Sequence, residues 1–358
     1  MHRTLTLAAS QLLRRLDPER AHDLALRGIR LGLVGRATEA NDAILQVSAL
    51  GLEFRNPIGL AAGFDKNAVA VAGLARLGFG FVEAGTVTPR PQRGNPRPRL
   101  FRLKEDGAII NRLGFNNLGL TRFRKQLGPK SGRAVPVGAN VGINSQDADP
   151  ERDYLDLVSA VSTEADYVVI NVSSPNTAGL RSLQAPARLQ ALLRSVSSRT
   201  DSACPLLVKI SPDLTETDLE ALVDICASSG VQGLVVSNTT LARPPALQSP
   251  RRGEPGGLSG TPLFARSTAV LARSHQLARG RLTLIGVGGV RTGADAFAKI
   301  QAGAHLVQLY TAFAYEGPKL LPRLMSELAT ELRTRGFSRV EDAVGSDVDR
   351  LANLAGVD

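Results

Sequence analysis

Tyr167-Val-Val-Ile-Asn-Val-Ser-Ser-Pro-Asn-Thr177 is a short apolar run that ends abruptly in hydrogen-bonding and turn residues. Burial accounts for the apolar half, since a strand covered on both faces reads as a near-continuous hydrophobic segment. Burial does not account for Asn171, Ser173, Ser174, Pro175 and Asn176 crowded at its end. Polar side chains held at a strand terminus suit the grip of a small polar molecule. Pro175 pushes Ser174 towards an extended backbone and stiffens the turn that follows.

The same arrangement recurs along the 358 residues. Eight runs share it: Pro57–Gly63, Phe81–Val87, Val135–Gly142, Tyr167–Ser173, Leu206–Ser211, Gly233–Thr239, Leu282–Gly289 and Leu306–Thr311. Between most of them the apolar residues take helical spacing, as in Leu214–Ser229, Pro262–Ala278 and Ala294–Ala302. Strands alternating with helices imply parallel βαβ units, and eight units imply an α/β fold of the TIM (β/α)8 barrel type. A doubly wound open sheet is the rival. The count of eight, with site-like residues ending nearly every run, favours the closed barrel.

Composition fits one enzyme-sized unit, with 43% hydrophobic and 21% charged residues. The two cysteines, Cys204 and Cys226, lie far apart and outside any pairing or zinc-ligand motif. No apolar run approaches the roughly 18 residues of a membrane-spanning helix. The net charge of +10 comes largely from arginines scattered over helical stretches, which reads as a solvated face. The denser stretch from Arg90 to Arg102 is rich in proline, reads as a structured loop and lacks aromatic residues spaced for base stacking, so nucleic acid is not an expected partner.

Residues 1–36 differ in kind from the rest and read as two helices, Leu5–Leu16 and Pro18–Val34. Asp17 is placed to cap the second, with Pro18 at its first position and Glu19 in its first turn. Leucines interspersed with Arg14, Arg15, Arg20, Arg27 and Arg30 suit a helical pair lying on an anionic membrane surface. They suit equally a helical extension packed over one end of the barrel. Gln11, Arg14 and Arg15 break the leucine stretch, which argues against a secretory signal peptide.

The run ends describe the ligand. Ala61-Ala-Gly-Phe-Asp-Lys66 offers small residues, which let a flat molecule approach the backbone, and then a cation. Thr86 and Asn140 end the second and third runs. Lys209 sits inside Leu-Val-Lys-Ile, where a charge is costly unless an anion compensates it. Ser237-Asn-Thr-Thr240, Gly256-Gly-Leu-Ser-Gly260, Gly286-Val-Gly-Gly289 and Tyr310-Thr311 follow. Glycines after the seventh strand and a hydroxyl after the eighth are the usual phosphate position of such a barrel. The connector Asn111-Arg-Leu-Gly-Phe-Asn-Asn117 adds amides that can pair with a ring bearing both N–H and C=O groups. The four histidines lie outside these motifs and no carboxylate pair converges, so neither a hydrolytic triad nor a metal site is expected. A nicotinamide fingerprint is missing from the first βα turn. Ser174 is the best-placed proton acceptor, although serine is a poor base without a route for its own proton. Lys209 alone would also suit a Schiff-base aldolase.

Taken together, Ala61–Lys66, Asn111–Asn117, Asn171–Thr177, Ser237–Thr240, Gly256–Gly260 and Gly286–Gly289 resemble the dihydroorotate dehydrogenase family over essentially the whole chain. Leu16–His22, the helical extension and serine at 174 resemble its class 2, quinone-linked branch. The resemblance implies one FMN per chain across the barrel mouth, touching Ala62, Gly63, Lys66, Thr86, Asn140, Asn171, Lys209, Ser237, Gly260, Gly289, Tyr310 and Thr311. It implies dihydroorotate or orotate held by Lys66, Asn111, Arg112, Leu113, Gly114, Phe115, Asn171, Asn176, Asn238 and Thr239. Ser174 would take the C5 proton while hydride passes from C6 to the flavin, and Lys209 would stabilise charge on the reduced cofactor. A quinone co-substrate would enter past His22, Arg102 and Tyr310. Residues 1–36 would form the quinone-tunnel and membrane segment, and 37–358 the catalytic barrel of a monomer. The resemblance also implies a role in de novo pyrimidine synthesis, carried out peripherally at the cytoplasmic face of the cell membrane. The sequence departs from the family at Thr261, where arginine is frequent, and in the arginine- and proline-rich stretch from Arg243 to Pro255.

Overall fold

A computed structural model describes residues 16–36, 42–146, 149–177, 179–199 and 203–354. The expected helix Leu5–Leu16 therefore lies outside the described residues, apart from its last position. In chain order the strands are β1 Val47–Ala49, β2 Leu52–Phe54, β3 Ile58–Leu60, β4 Phe81–Val87, β5 Leu100–Leu103, β6 Ala108–Asn111, β7 Val137–Val141, β8 Tyr167–Asn171, β9 Leu206–Ile210, β10 Gly233–Val236, β11 Gly257–Gly260, β12 Thr283–Val287 and β13 Leu306–Leu309. Eight of them close a barrel in the order β10-β12-β13-β3-β4-β7-β8-β9, every pair parallel. All eight runs read from the sequence are these strands, and the doubly wound alternative is excluded. Helices such as Glu216–Ser228, Phe264–Ala278 and Gly293–Gln301 cover the outside.

The strands stop short of the sequence-read runs by up to three residues. The polar tails of most runs lie beyond the ladder, in the loops at the carboxyl ends, while Thr86, Asn140 and Asn171 are still within β4, β7 and β8. At the other end of the barrel the interior is filled by rings over glycines. A Cβ on Gly59 would lie 2.3 Å from Phe81 Cζ, and one on Gly138 would lie 2.2 Å from the Tyr167 ring. Phe54 packs edge-on to Phe81 at 5.4 Å. Gly138→Ala is expected to destabilise the fold by about 1–3 kcal/mol through overpacking. A thermal melt unchanged from the parent would show that the Tyr167 ring has room to move aside.

Two antiparallel additions escape the periodicity reading. β1 and β2 form a hairpin, and β11-β6-β5 form a three-stranded sheet beside the barrel mouth. Gly256–Gly260 is therefore largely a strand rather than a loop, and the Arg90–Arg102 loop runs into β5. The stretch 243–255 is folded around Arg243, whose guanidinium donates to the carbonyls of Arg252, Glu254 and Gly256.

Asp17 caps the helix Pro18–Arg30 as expected, accepting from Glu19 N at 3.2 Å and Arg20 N at 3.0 Å. That helix ends at Arg30, not Val34, because Gly32 turns the chain at φ +72° and Leu33 N bonds back to Gly28 O. It packs on the helix Val71–Arg76, where Gly73 permits the close crossing: a Cβ there would lie 2.3 Å from Ile29 O. Glu19 is buried and pairs with Arg99 and Arg97, which fastens the helix to the mouth of the barrel. For this second helix the placement over one barrel end is thus observed. On the outer side Leu31 and Leu33 stay 70% and 73% exposed. Among the described residues no helix is long and apolar enough to cross a membrane.

Candidate active site

A pocket opens at the carboxyl ends of the barrel strands, with about 1150 Å3 of empty space that includes its open, solvent-facing side. Ala62, Gly63 and Lys66 enter it from the loop after β3, Thr86 from β4, and Asn171, Ser174 and Asn176 from the end of β8. Lys209 comes from β9, Ser237, Asn238 and Thr239 from the end of β10, Gly260 from β11, Gly289 from the β12 loop, and Tyr310 and Thr311 from the end of β13. Asn111, Leu113, Gly114 and Phe115 close it from the connector after β6. Gly114 and Phe115 adopt φ of +71° and +52°, which folds that connector back over the pocket.

Four expected residues are not part of the wall. The Arg112 side chain turns outwards to Glu254 Oε2 and Pro255 O, each at 3.0 Å, and lies over the Phe101 ring. Successive residues of an extended chain face opposite ways, so Asn111 pointing in sends Arg112 out. Asn140 stands one layer below and is fully buried. His22 bonds Phe64 O through Nε2 at 2.8 Å, so Nε2 donates. Burial, with Lys66 nearby, lowers the His22 pKa to about 3, which keeps the ring neutral. Phe64 packs edge-on to both His22 and Tyr310, so one line of rings runs from the N-terminal helix to the pocket. Arg102 donates to Leu16 O at 3.2 Å, at the start of that helix.

Asn171 is the hub of the amides. Its Nδ2 donates to Thr86 Oγ1 and Asn140 Oδ1, and its Oδ1 accepts from Ser173 and from Asn238 Nδ2. Tyr154 holds its carbonyl from behind at 2.7 Å. Asn176 Nδ2 donates to Asn111 Oδ1 at 3.4 Å, joining the β8 loop to the connector. Ser174 is 5% exposed, and its Oγ accepts the backbone N–H of Asn176 at 3.3 Å.

Glu83 was not among the expected residues. It is fully buried in β4 and accepts from Asn140 Nδ2 at 2.7 Å and Gln308 Nε2 at 2.6 Å. The signal that singled out Lys209, a charge inside an apolar strand, applied to Glu83 as well. Arg291 was also missed. It lines the pocket and donates to Thr261 Oγ1 at 3.3 Å, placing a cation beside the position where the sequence departs from the family pattern.

The cations decide what the pocket can hold. Burial pushes the Lys209 pKa down, and the Glu83 carboxylate pushes it back up. Lys209 is buried, faces the pocket and donates no hydrogen bond to a described residue. A buried ammonium without a partner wants an acceptor from a ligand. Lys66 Nζ donates to Gly63 O at 2.7 Å. Its pKa is lowered to about 8, chiefly by burial, against the pull of Glu19 and Asp23. Among the described residues no cluster of histidine, cysteine and carboxylate side chains could hold a metal ion.

A family model described as "Dihydroorotate dehydrogenase" matches residues 44–332. The "Dihydroorotate dehydrogenase (quinone)" of Azorhizobium caulinodans is 51% identical over 340 residues, covering 92% of this chain and 96% of that protein. The mitochondrial "Dihydroorotate dehydrogenase (quinone)" of Mus musculus is 49% identical over 348 residues, covering 94% and 88%. A crystal structure of the Eimeria tenella protein with ferulenol superposes with a TM-score of 0.88 at 40% identity, over 92% of this chain and 96% of that one.

Proposed function

The chain belongs to the dihydroorotate dehydrogenase family and oxidises dihydroorotate to orotate with a quinone as electron acceptor, and from that premise we propose how its residues divide the work. Membership implies a flavin and a place in pyrimidine synthesis. The flavin is FMN, one per chain. The observation that carries this reading is Lys209: a buried ammonium that donates no hydrogen bond to a described residue, in a pocket walled largely by small and aliphatic residues, amides and hydroxyls, with Lys66 and Arg291 as its other cations. That wall fits a flat, polar-edged cofactor, and Gly289 with Thr311 fits its phosphate.

Bound there, the cofactor supplies the hydride acceptor. Lys209 holds positive charge beside it, with Glu83 as the buried counter-charge. Lys66 and the amides of Asn111, Asn176 and Asn238 hold the carboxylate and ring of dihydroorotate. The backbone from Leu113 to Phe115 covers that ring, and Thr239 borders it. Ser174 takes the proton from C5 as its own hydroxyl proton leaves to solvent through the open side of the pocket. Arg112 has no place in this reading, and Asn140 acts from below through Thr86 and Asn171.

Residues 1–36 form the quinone entrance, and residues 37–358 the catalytic barrel. The line from His22 through Phe64 to Tyr310 supports the entrance, with Arg102 at its rim. Exposed Leu24, Leu31 and Leu33 beside Arg20, Arg27 and Arg30 support peripheral attachment to an anionic membrane at its cytoplasmic face.

Deleting residues 1–36 is expected to slow quinone reduction far more than flavin reduction by dihydroorotate. Anaerobic stopped-flow of the two half-reactions checks this, and equal losses in both would make the segment a structural extension only. The reading as a whole is tested by flavin absorbance that bleaches on dihydroorotate and recovers on adding a quinone. Recovery with fumarate or NAD alone would contradict it.

A further inference from the structure

Arg181 lies outside the pocket wall, in the short helical turn Leu180–Gln184 that follows the β8 loop. Its guanidinium meets three separate segments of the barrel mouth. Nε donates to the carbonyl of Ser173 at 3.1 Å, Nη2 to the carbonyl of Thr239 at 3.1 Å, and Nη1 to Asp213 Oδ2 at 3.0 Å. Ser173 precedes Ser174, and Thr239 borders the substrate position. Asp213 follows β9 and is itself held: it accepts from Thr240 Oγ1 and from Leu241 N, and Arg266 lies 3.4 Å away. The Arg181 side chain is 23% exposed, so these bonds form largely away from water.

We propose that Arg181 is a positioning residue for the dihydroorotate half-reaction, its planar fork fixing the Ser174 backbone against the Asn238–Thr239 segment. The proposal rests on the reading that Ser174 and Asn238–Thr239 flank the substrate. A guanidinium presents donors in a rigid plane, whereas an ammonium is a point charge on a flexible stem. Lysine at 181 can therefore neutralise Asp213 but cannot serve both carbonyls. A displacement of about 1 Å at a reacting group costs roughly 100-fold in rate.

Arg181→Lys and Arg181→Ala are compared with the parent holoenzyme. The measurements are flavin content, orotate Kd by flavin absorbance, anaerobic flavin reduction at saturating dihydroorotate, and re-oxidation by a soluble quinone. The expected result is flavin reduction slowed by about 10- to 100-fold in both variants. Orotate binding weakens in both, while flavin content and quinone re-oxidation stay at parent values. Full rescue by lysine would overturn the proposal, since Arg181 would then only balance Asp213. Equal loss in both half-reactions would also overturn it, making Arg181 a general support of the fold. If the alanine variant does not fold, Arg181→Lys with Asp213→Asn carries the same comparison. Ser174→Ala measured alongside separates the premises: normal flavin reduction there removes Ser174 as base, while the orotate Kd of the Arg181 variants, which involves no chemistry, still decides the clamp.

Discussion

Ser174→Ala is expected to keep its flavin and bind orotate nearly as the parent does, while flavin reduction by dihydroorotate slows by about 10²–10⁴-fold, the usual worth of a positioned proton acceptor. The side chain is nearly inaccessible, so alanine removes one oxygen and leaves the Cβ packing in place. Among the described residues Ser174 Oγ makes one hydrogen bond, accepted from Asn176 N, and an amide N–H at a loop end re-forms that bond with water. Fold and binding therefore survive the change, and the loss is confined to the chemical step. Single-turnover stopped-flow without oxygen measures that step alone. Near-parental reduction would remove Ser174 from the role.

Lys66→Ala is expected to weaken orotate binding by roughly 10- to 150-fold, since a charge-assisted hydrogen bond contributes about 1.5–3 kcal/mol. The parent carries a pH signature as well. Burial has brought the ammonium down to about 8. The carboxylate binds the charged form, so orotate affinity is full below pH 8. Above it the amine must first take up a proton, and Kd rises towards tenfold per pH unit. The variant loses this rise. A parent Kd that stays level from pH 7 to 9.5 would show that Lys66 does not meet the ligand as an ammonium.

The barrel was legible in the sequence because parallel strands buried on both faces are written as unbroken apolar runs, and caps such as Asp17-Pro18 punctuate helices in a local code. The β1–β2 hairpin and the β11-β6-β5 sheet were not. Their strands hold three or four residues each, too few for a period, and Gly257–Gly260 finds its partner Ala108–Asn111 across most of the barrel sequence. Most pocket residues were legible because polar groups at strand ends have no structural reason to be there. Arg112 was misread by adjacency to Asn111. Arg181 and Glu19 were missed for the opposite reason: each acts through partners that only the tertiary fold brings near, Ser173 and Thr239 for Arg181, Arg97 and Arg99 for Glu19. Glu83 was legible by the rule that picked out Lys209, a charge inside an apolar strand.

The barrel closes where β3 pairs with β13, the first of its strands against the last. A chain emerging from the ribosome therefore carries two unpaired sheet edges through nearly its entire synthesis, and such edges invite wrong partners. Tyr310 and Thr311, which complete the pocket wall, arrive with the same final strand. A flavin held in this pocket as proposed would find its wall complete only after synthesis, so flavin in the culture medium is expected to stabilise the finished apoprotein but not to shelter the nascent one.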